Sequence, residues 1–318
     1  MLRGLSAVNE EGYAYTLEKD FGKYSFVALD GCPKTGAGRP FNFFGYLDTS
    51  DMDFLASVLV KSIVEKHNHT FGMSHYPTGT TLFGKTKSGI GFWDLSRHVS
   101  IWLCGHLHQL AAGLGDTMYA FQENTVLELE LGDMKSHGLF RIIAIDNDLV
   151  SFVDLPIYRE DQAKLPLLTN TTYKTPSSRP PIVLITNPKD GRYNIPGKEP
   201  THLVASSTHI RVLIWASTSS LKEIYCIVDD KRLEGKATYN GRGKSWSSIE
   251  SIKEPEPYIP LWTIPWDPLL YNDSAVHHLT VVATDSHGRI GNHTVRFRLD
   301  GERIRKMDAG PGGTLFYY

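Results

Sequence analysis

A polar, proline-rich stretch from Tyr158 to Pro181, ending in Ser177-Ser178-Arg179-Pro180-Pro181, cuts the chain into two segments of unlike character. Such a composition reads as a linker, because it offers neither an apolar face nor a regular hydrophobic period. Two domains are therefore expected, 1–157 and 182–300, joined by 158–181 and followed by a loose tail, 301–318.

Before the break, short apolar, β-rich runs at Tyr24–Leu29, Thr70–Ser74 and Val99–Cys104 stop at Asp30-Gly31, His75 and Gly105. Thr125–Leu131 and Leu139–Ile145 read as further strands. Ser50 reads as a helix N-cap, with Asp53 three residues on. The helix it opens places Phe54, Leu55, Val58, Leu59 and Ile63 on one face. Strands mixed with a strong helix predict a layered α/β domain.

After the break, Ile182–Thr186, His209–Ala216, Ile224–Val228, Leu261–Ile264, His278–Ala283 and Thr294–Leu299 read as short strands. Asp285-Ser286-His287-Gly288 is a turn between two of them, and no helical period intervenes. This pattern predicts an all-β immunoglobulin-like sandwich, without the Cys…Trp…Cys signature of antibody domains.

Composition narrows the partners. With 33 Lys and Arg against 35 Asp and Glu, the net charge of −2 offers no basic surplus for a nucleic-acid backbone. The short run Arg303-Ile304-Arg305-Lys306 reads as a solvated tail. No apolar run approaches the roughly 18 residues that span a bilayer, so no transmembrane segment is expected in this chain. Met1 to Leu5 shows no leader pattern. Cys32, Cys104 and Cys226 are widely spaced and form no CxxC unit or disulfide framework. Four sequons, at Asn68, Asn170, Asn272 and Asn292, favour a glycoprotein on the lumenal or extracellular side of the secretory pathway over a cytoplasmic one.

The residues that carry chemistry are histidines. Gly105-His106-Leu107-His108 follows directly on an apolar strand, and a glycine there lets the backbone turn sharply and aim both imidazoles. Neutral imidazole suits divalent Zn, Fe or Mn. His75 ends a strand of its own, and in α/β proteins sites gather where strands end. His67-Asn68-His69 has the same spacing but follows a helix, so it is read as solvated loop. Glu128 and Glu130 alternate on one strand and are read as a solvated sheet face. Asp94 and Asp133 are read as turn and packing residues, and Cys104 as a small buried residue.

The order strand-Ser74-His75-Tyr76-Pro77, then strand-Cys104-Gly105-His106-Leu107-His108, resembles the last two motifs of the calcineurin-like metallophosphoesterases. Gly38-Arg39-Pro40-Phe41-Asn42-Phe43-Phe44-Gly45, Leu127-Glu128-Leu129-Glu130-Leu131-Gly132-Asp133 and Val183-Leu184-Ile185-Thr186-Asn187-Pro188-Lys189 resemble a branch of that family that carries membrane helices further along. The resemblance implies the C-terminal half of a metallophosphoesterase domain, hydrolysing a phosphate ester of unknown identity. It implies two divalent ions, Mn, Fe or Zn, with His75 and His106 on one and His108 on the other. The family's D-x-H, G-D-x-x-D and G-N-H-[DE] motifs do not occur ahead of His75, so no catalytic residue is named. A truncated, weakly active or inactive enzyme binding fewer than two ions is expected. Asp30, Asp94 and Asp116 stay without an assigned role. Two alternatives stand beside it: a non-catalytic binding module built on the sandwich, and a single-metal protein using His75, His106 and His108.

Overall fold

The computed structural model describes residues 12–33, 42–107, 119–134, 138–156, 179–216, 220–242 and 259–304. The chain divides into two units, one built on residues up to Phe140 with Ile195–Lys198 and Gly310–Tyr318, the other on Arg141–Asn194 and Glu199–Ala309.

The first unit runs β1 (Gly12–Lys19), β2 (Gly22–Leu29), β3 (Gly45–Leu47), α1 (Thr49–Val64), β4 (His69–Met73), β5 (Thr81–Phe83), α2 (Phe92–Ser96), β6 (Ile101–Cys104), β7 (Tyr119–Phe121) and β8 (Leu127–Glu130). Its main sheet has the order β1-β2-β4-β6-β8-β7. The four inner strands are parallel and the two outer ones antiparallel to their neighbours. Parallel strands covered on both faces read as unbroken apolar runs, which is why they stood out in the sequence. On one face α1 and α2 bring Met52, Leu55, Leu59, Phe92 and Leu95 onto Val27, Leu29, Trp102 and Cys104. On the other, Tyr15, Phe26 and Phe71 stack across three strands at 4.7 and 4.8 Å. Gly72 is required by this packing: a Cβ there would lie 2.4 Å from the Trp102 ring.

The second unit opens with a hairpin of β9 (Leu139–Asp146), whose first two residues count with the first unit, and β10 (Leu149–Pro156). It continues with β11 (Ile182–Asn187), β12 (His209–Trp215), β13 (Leu221–Val228), β14 (Lys231–Arg232), β15 (Thr238–Tyr239), β16 (Leu261–Pro265), β17 (His277–Asp285) and β18 (Ile290–Phe297). Two four-stranded sheets form, β11-β12-β16-β15 and β14-β13-β17-β18, and all their pairings are antiparallel. Ile185, Ile210, Val212 and Ile264 from one sheet share a core with Cys226, Leu279, Val281 and Phe297 from the other, which makes a sandwich. The hairpin turns at Asn147-Asp148 and Asp229-Asp230 take positive φ at both positions, the conformation that matches strand twist.

Several expectations need correcting. The helix is capped by Asp48, not Ser50: the Asp48 carboxylate takes the Ser50 and Asp51 N–H groups, and Asp51 closes a capping box. Asp51, Met52, Leu55, Leu59 and Ser62 are its buried positions, while Ile63 is half exposed. His67 and His69 are not solvated loop. His67 is a buried hub between Ser25 and Glu65, and His69 opens β4 with a 2.9 Å bond to the Ser100 hydroxyl. Glu128 and Glu130 are buried because they lie in register beside Trp102 and Cys104, on the sheet face that α1 and α2 cover, rather than on a washed face.

Candidate functional site

Parallel packing aligns β4 and β6 so that their carboxyl ends sit side by side. The ladder carries on past both ends: Ser74 N–H donates to the Leu103 carbonyl and Gly105 N–H to the His75 carbonyl, at 3.1 and 3.0 Å. His106 follows with φ +80°, a left-handed turn that swings its ring back over the strand ends. His75 Nε2 and His106 Nδ1 are then 2.9 Å apart. The Tyr76 ring, itself buried, packs on His106 at 4.1 Å between centroids. Burial pushes the Tyr76 hydroxyl above its ordinary pKa, so it stays protonated at neutral pH. Its backbone neighbour is Gly45, where a Cβ would collide with the tyrosine ring at 2.7 Å.

Two imidazoles arrive together, as the sequence suggested, and both are accessible from solvent. His108 lies outside the described residues, as does Asp116. Asp30 and Asp94 do not join the pair in any contact seen here: Asp30 accepts from Cys32 N–H at 3.0 Å, and Asp94 pairs with Arg97 at 3.4 Å. Among the described residues no group of three His, Cys, Asp or Glu side chains is arranged to hold an ion. The fit to a metal is therefore partial. Bonds of about 2.1 Å place two ligand nitrogens about 3.0 Å apart at octahedral right angles and about 3.4 Å apart at tetrahedral angles, so this pair is close to adjacent positions on one octahedral ion. The donors for a two-ion centre are not present among the described residues. Beside the pair, the Ser74 hydroxyl is buried with no hydrogen-bond partner among the described residues.

Sequence reasoning missed a buried carboxylate on β8, the strand beside β6. Glu128 Oε2 accepts from Thr78 N–H at 2.7 Å and from the Thr78 hydroxyl at 2.5 Å, and its Oε1 accepts from Gln122 at 3.0 Å. The available signal was β8 itself, an inner-strand candidate in which a charged residue could not face water.

Residues 177–303 match the TMEM62 Ig-like domain, so the sandwich of the second unit belongs to that domain family. Over most of its length the chain is homologous to transmembrane protein 62. It is 30% identical to that protein of Mus musculus over 288 residues, which covers 90% of this chain and 38% of the relative. A more distant relative, 22% identical over 336 aligned positions, is a protein of Arabidopsis thaliana provisionally named a metallophosphoesterase. The alignment covers 90% of this chain and 41% of that protein. The chain thus spans about two-fifths of the length of these relatives. Among the described residues no helix is long and apolar enough to cross a membrane.

Proposed function

We propose that the first unit is the C-terminal half of a metallophosphoesterase domain and supplies His75, His106 and His108 to a metal-dependent phosphoesterase site. The observation that carries this reading is the 2.9 Å meeting of His75 and His106 at the ends of adjacent parallel strands. The name of the Arabidopsis relative supports it. A bound Mn, Fe or Zn ion would polarise phosphoryl oxygens and supply hydroxide near neutral pH. The chain's own part is to hold the two imidazoles together, and His75 and His106 must both be free of protons on the facing nitrogens to share an ion. The substrate class is a phosphate ester.

On this reading the chain alone is expected to hold too few donors for two ions. Elemental analysis of the purified 318-residue chain should give fewer than two equivalents of metal, and hydrolysis of an aryl phosphate should be negligible with or without manganese. Two tightly held ions, or robust hydrolysis lost on His106→Ala, would overturn that expectation. One observation favours a non-catalytic second reading: no three-donor group exists among the described residues. A binding module of this kind would retain no metal at all in the same assay.

For location, the proposed setting is the secretory pathway. The sequon residues Asn68, Asn272 and Asn292 are all exposed, which supports glycan addition. Protein from its native cells should shift in mobility on treatment with an N-glycosidase; an unshifted band would argue for the cytoplasm.

A further inference from the structure

The buried carboxylate of Glu128 has no role in the reading above. Its hydrogen bonds go to Thr78 and Gln122, and Thr78 stands three residues beyond His75. Strand order puts β6 between the two elements, so Glu128 reaches from β8 past β6 to fasten the segment that leaves β4. That segment is short and stiff. Pro77 has a locked φ, and its carbonyl accepts from Thr80 N–H at 3.1 Å and from the Thr81 hydroxyl at 2.8 Å. Fixing Thr78 therefore fixes His75. Burial drives the Glu128 carboxyl above the ordinary range, while the Thr78 and Gln122 donors oppose that shift. A leucine would fill the same space without this desolvation, but it could not hold Thr78.

We infer that Glu128 is a positioning residue: it holds the His75-Tyr76-Pro77-Thr78 segment so that His75 Nε2 stays in register with His106 Nδ1. The inference rests on the proposed site only in taking the two histidines to act together.

The test reads the imidazole nitrogens of the metal-free 318-residue chain by NMR. In the native chain His75 and His106 should each show one fixed tautomer, as a hydrogen-bonded pair. Glu128→Leu should abolish that signature and give averaged tautomers. Glu128→Gln should restore it, because its carbonyl can take both Thr78 donors while its NH2 meets the Gln122 carbonyl after an amide flip. Native-like imidazole signals in a folded Glu128→Leu chain would overturn the inference, as would failure of Gln to restore them. If Glu128→Leu does not fold, Thr78→Val removes only the hydroxyl donor; unchanged signals there would also overturn it. Zinc titration of the same samples separates the two readings. Zinc affinity about tenfold or more weaker in Glu128→Leu is expected, since supporting partners of metal ligands act on that scale. Unchanged affinity counts against Glu128 alone. A native chain that ignores zinc counts against the metal reading, while the imidazole comparison still decides Glu128.

Discussion

The two units bury charge in opposite ways. In the first, Glu128 sits 6% exposed among neutral donors, two from Thr78 and one from Gln122. In the second, Lys189 Nζ lies 2.5 and 2.6 Å from the two oxygens of Glu199, with side chains 2% and 0% exposed. Arg141–Asp154, Arg211–Asp146 and Arg289–Asp285 repeat the pattern of opposite charges at 2.5–2.7 Å. A neutral shell can fasten a loop in place but leaves the charge poorly compensated. A counter-charge offsets part of that cost, and in Arg141–Asp154 it ties two strands together. The first arrangement suits holding a site in shape, the second suits holding a domain intact.

The sharpest way to break this contrast is Lys189→Met. It leaves Glu199 buried without the Lys189 counter-charge, and the second unit should lose about 3–5 kcal/mol in urea denaturation. Adding Glu199→Leu should recover most of that loss, apart from the Val150 N–H, which donates to Glu199 at 2.8 Å. If the double variant is as unstable as the single, the pair is not acting as a pair.

Next in size is an acid effect on the same unit. His293 accepts from Ile185 N–H at 3.1 Å, and burial lowers its pKa to about 4. A histidine depressed in the fold contributes stability that is full above its unfolded value, near 6.5, and is lost as pH falls towards 4. The loss should be on the order of 3 kcal/mol by pH 4. His293→Gln should flatten the acid limb of a stability profile; an unaltered limb would assign it to other groups.

A smaller change belongs to the first unit. Asp48→Ala removes the acceptor for Ser50 and Asp51 N–H and should cost about 1 kcal/mol, with the loss centred on α1 in hydrogen exchange. The smallest effect is expected at His277, which meets Asp229 at 2.6 Å and Asp273 at 2.9 Å. Desolvation lowers its pKa, but the two carboxylates outweigh that and the net shift is upward. This stabilisation is present below about 6.5 and fades as pH rises through the folded value, the reverse of His293. His277→Asn should remove a shallow alkaline slope.

How much was legible followed from where each signal resides. Inner strands were readable because burial on both faces leaves an apolar run. The flanking β1, with Tyr13, Tyr15 and Glu18 interleaved, was overlooked because an edge strand half open to water carries a mixed pattern. The helix start slipped by two residues because Asp48 and Ser50 are both good caps, and only the Asp51 reciprocal bond decides between them. His75 and His106 were readable as strand endings, since local sequence marks them. Glu128 was not, because its meaning lies in a contact with Thr78 fifty positions away.

The left-handed turn at His106 has a consequence for how this position can drift. At φ +80° asparagine, aspartate and glycine are at ease, whereas valine and isoleucine are not. A change to asparagine or glycine keeps the bend and discards the imidazole; a change to a β-branched residue discards both. A lineage leaving the chemistry while keeping the architecture therefore has a few open exits here, and the residue found in any relative records which of the two it kept.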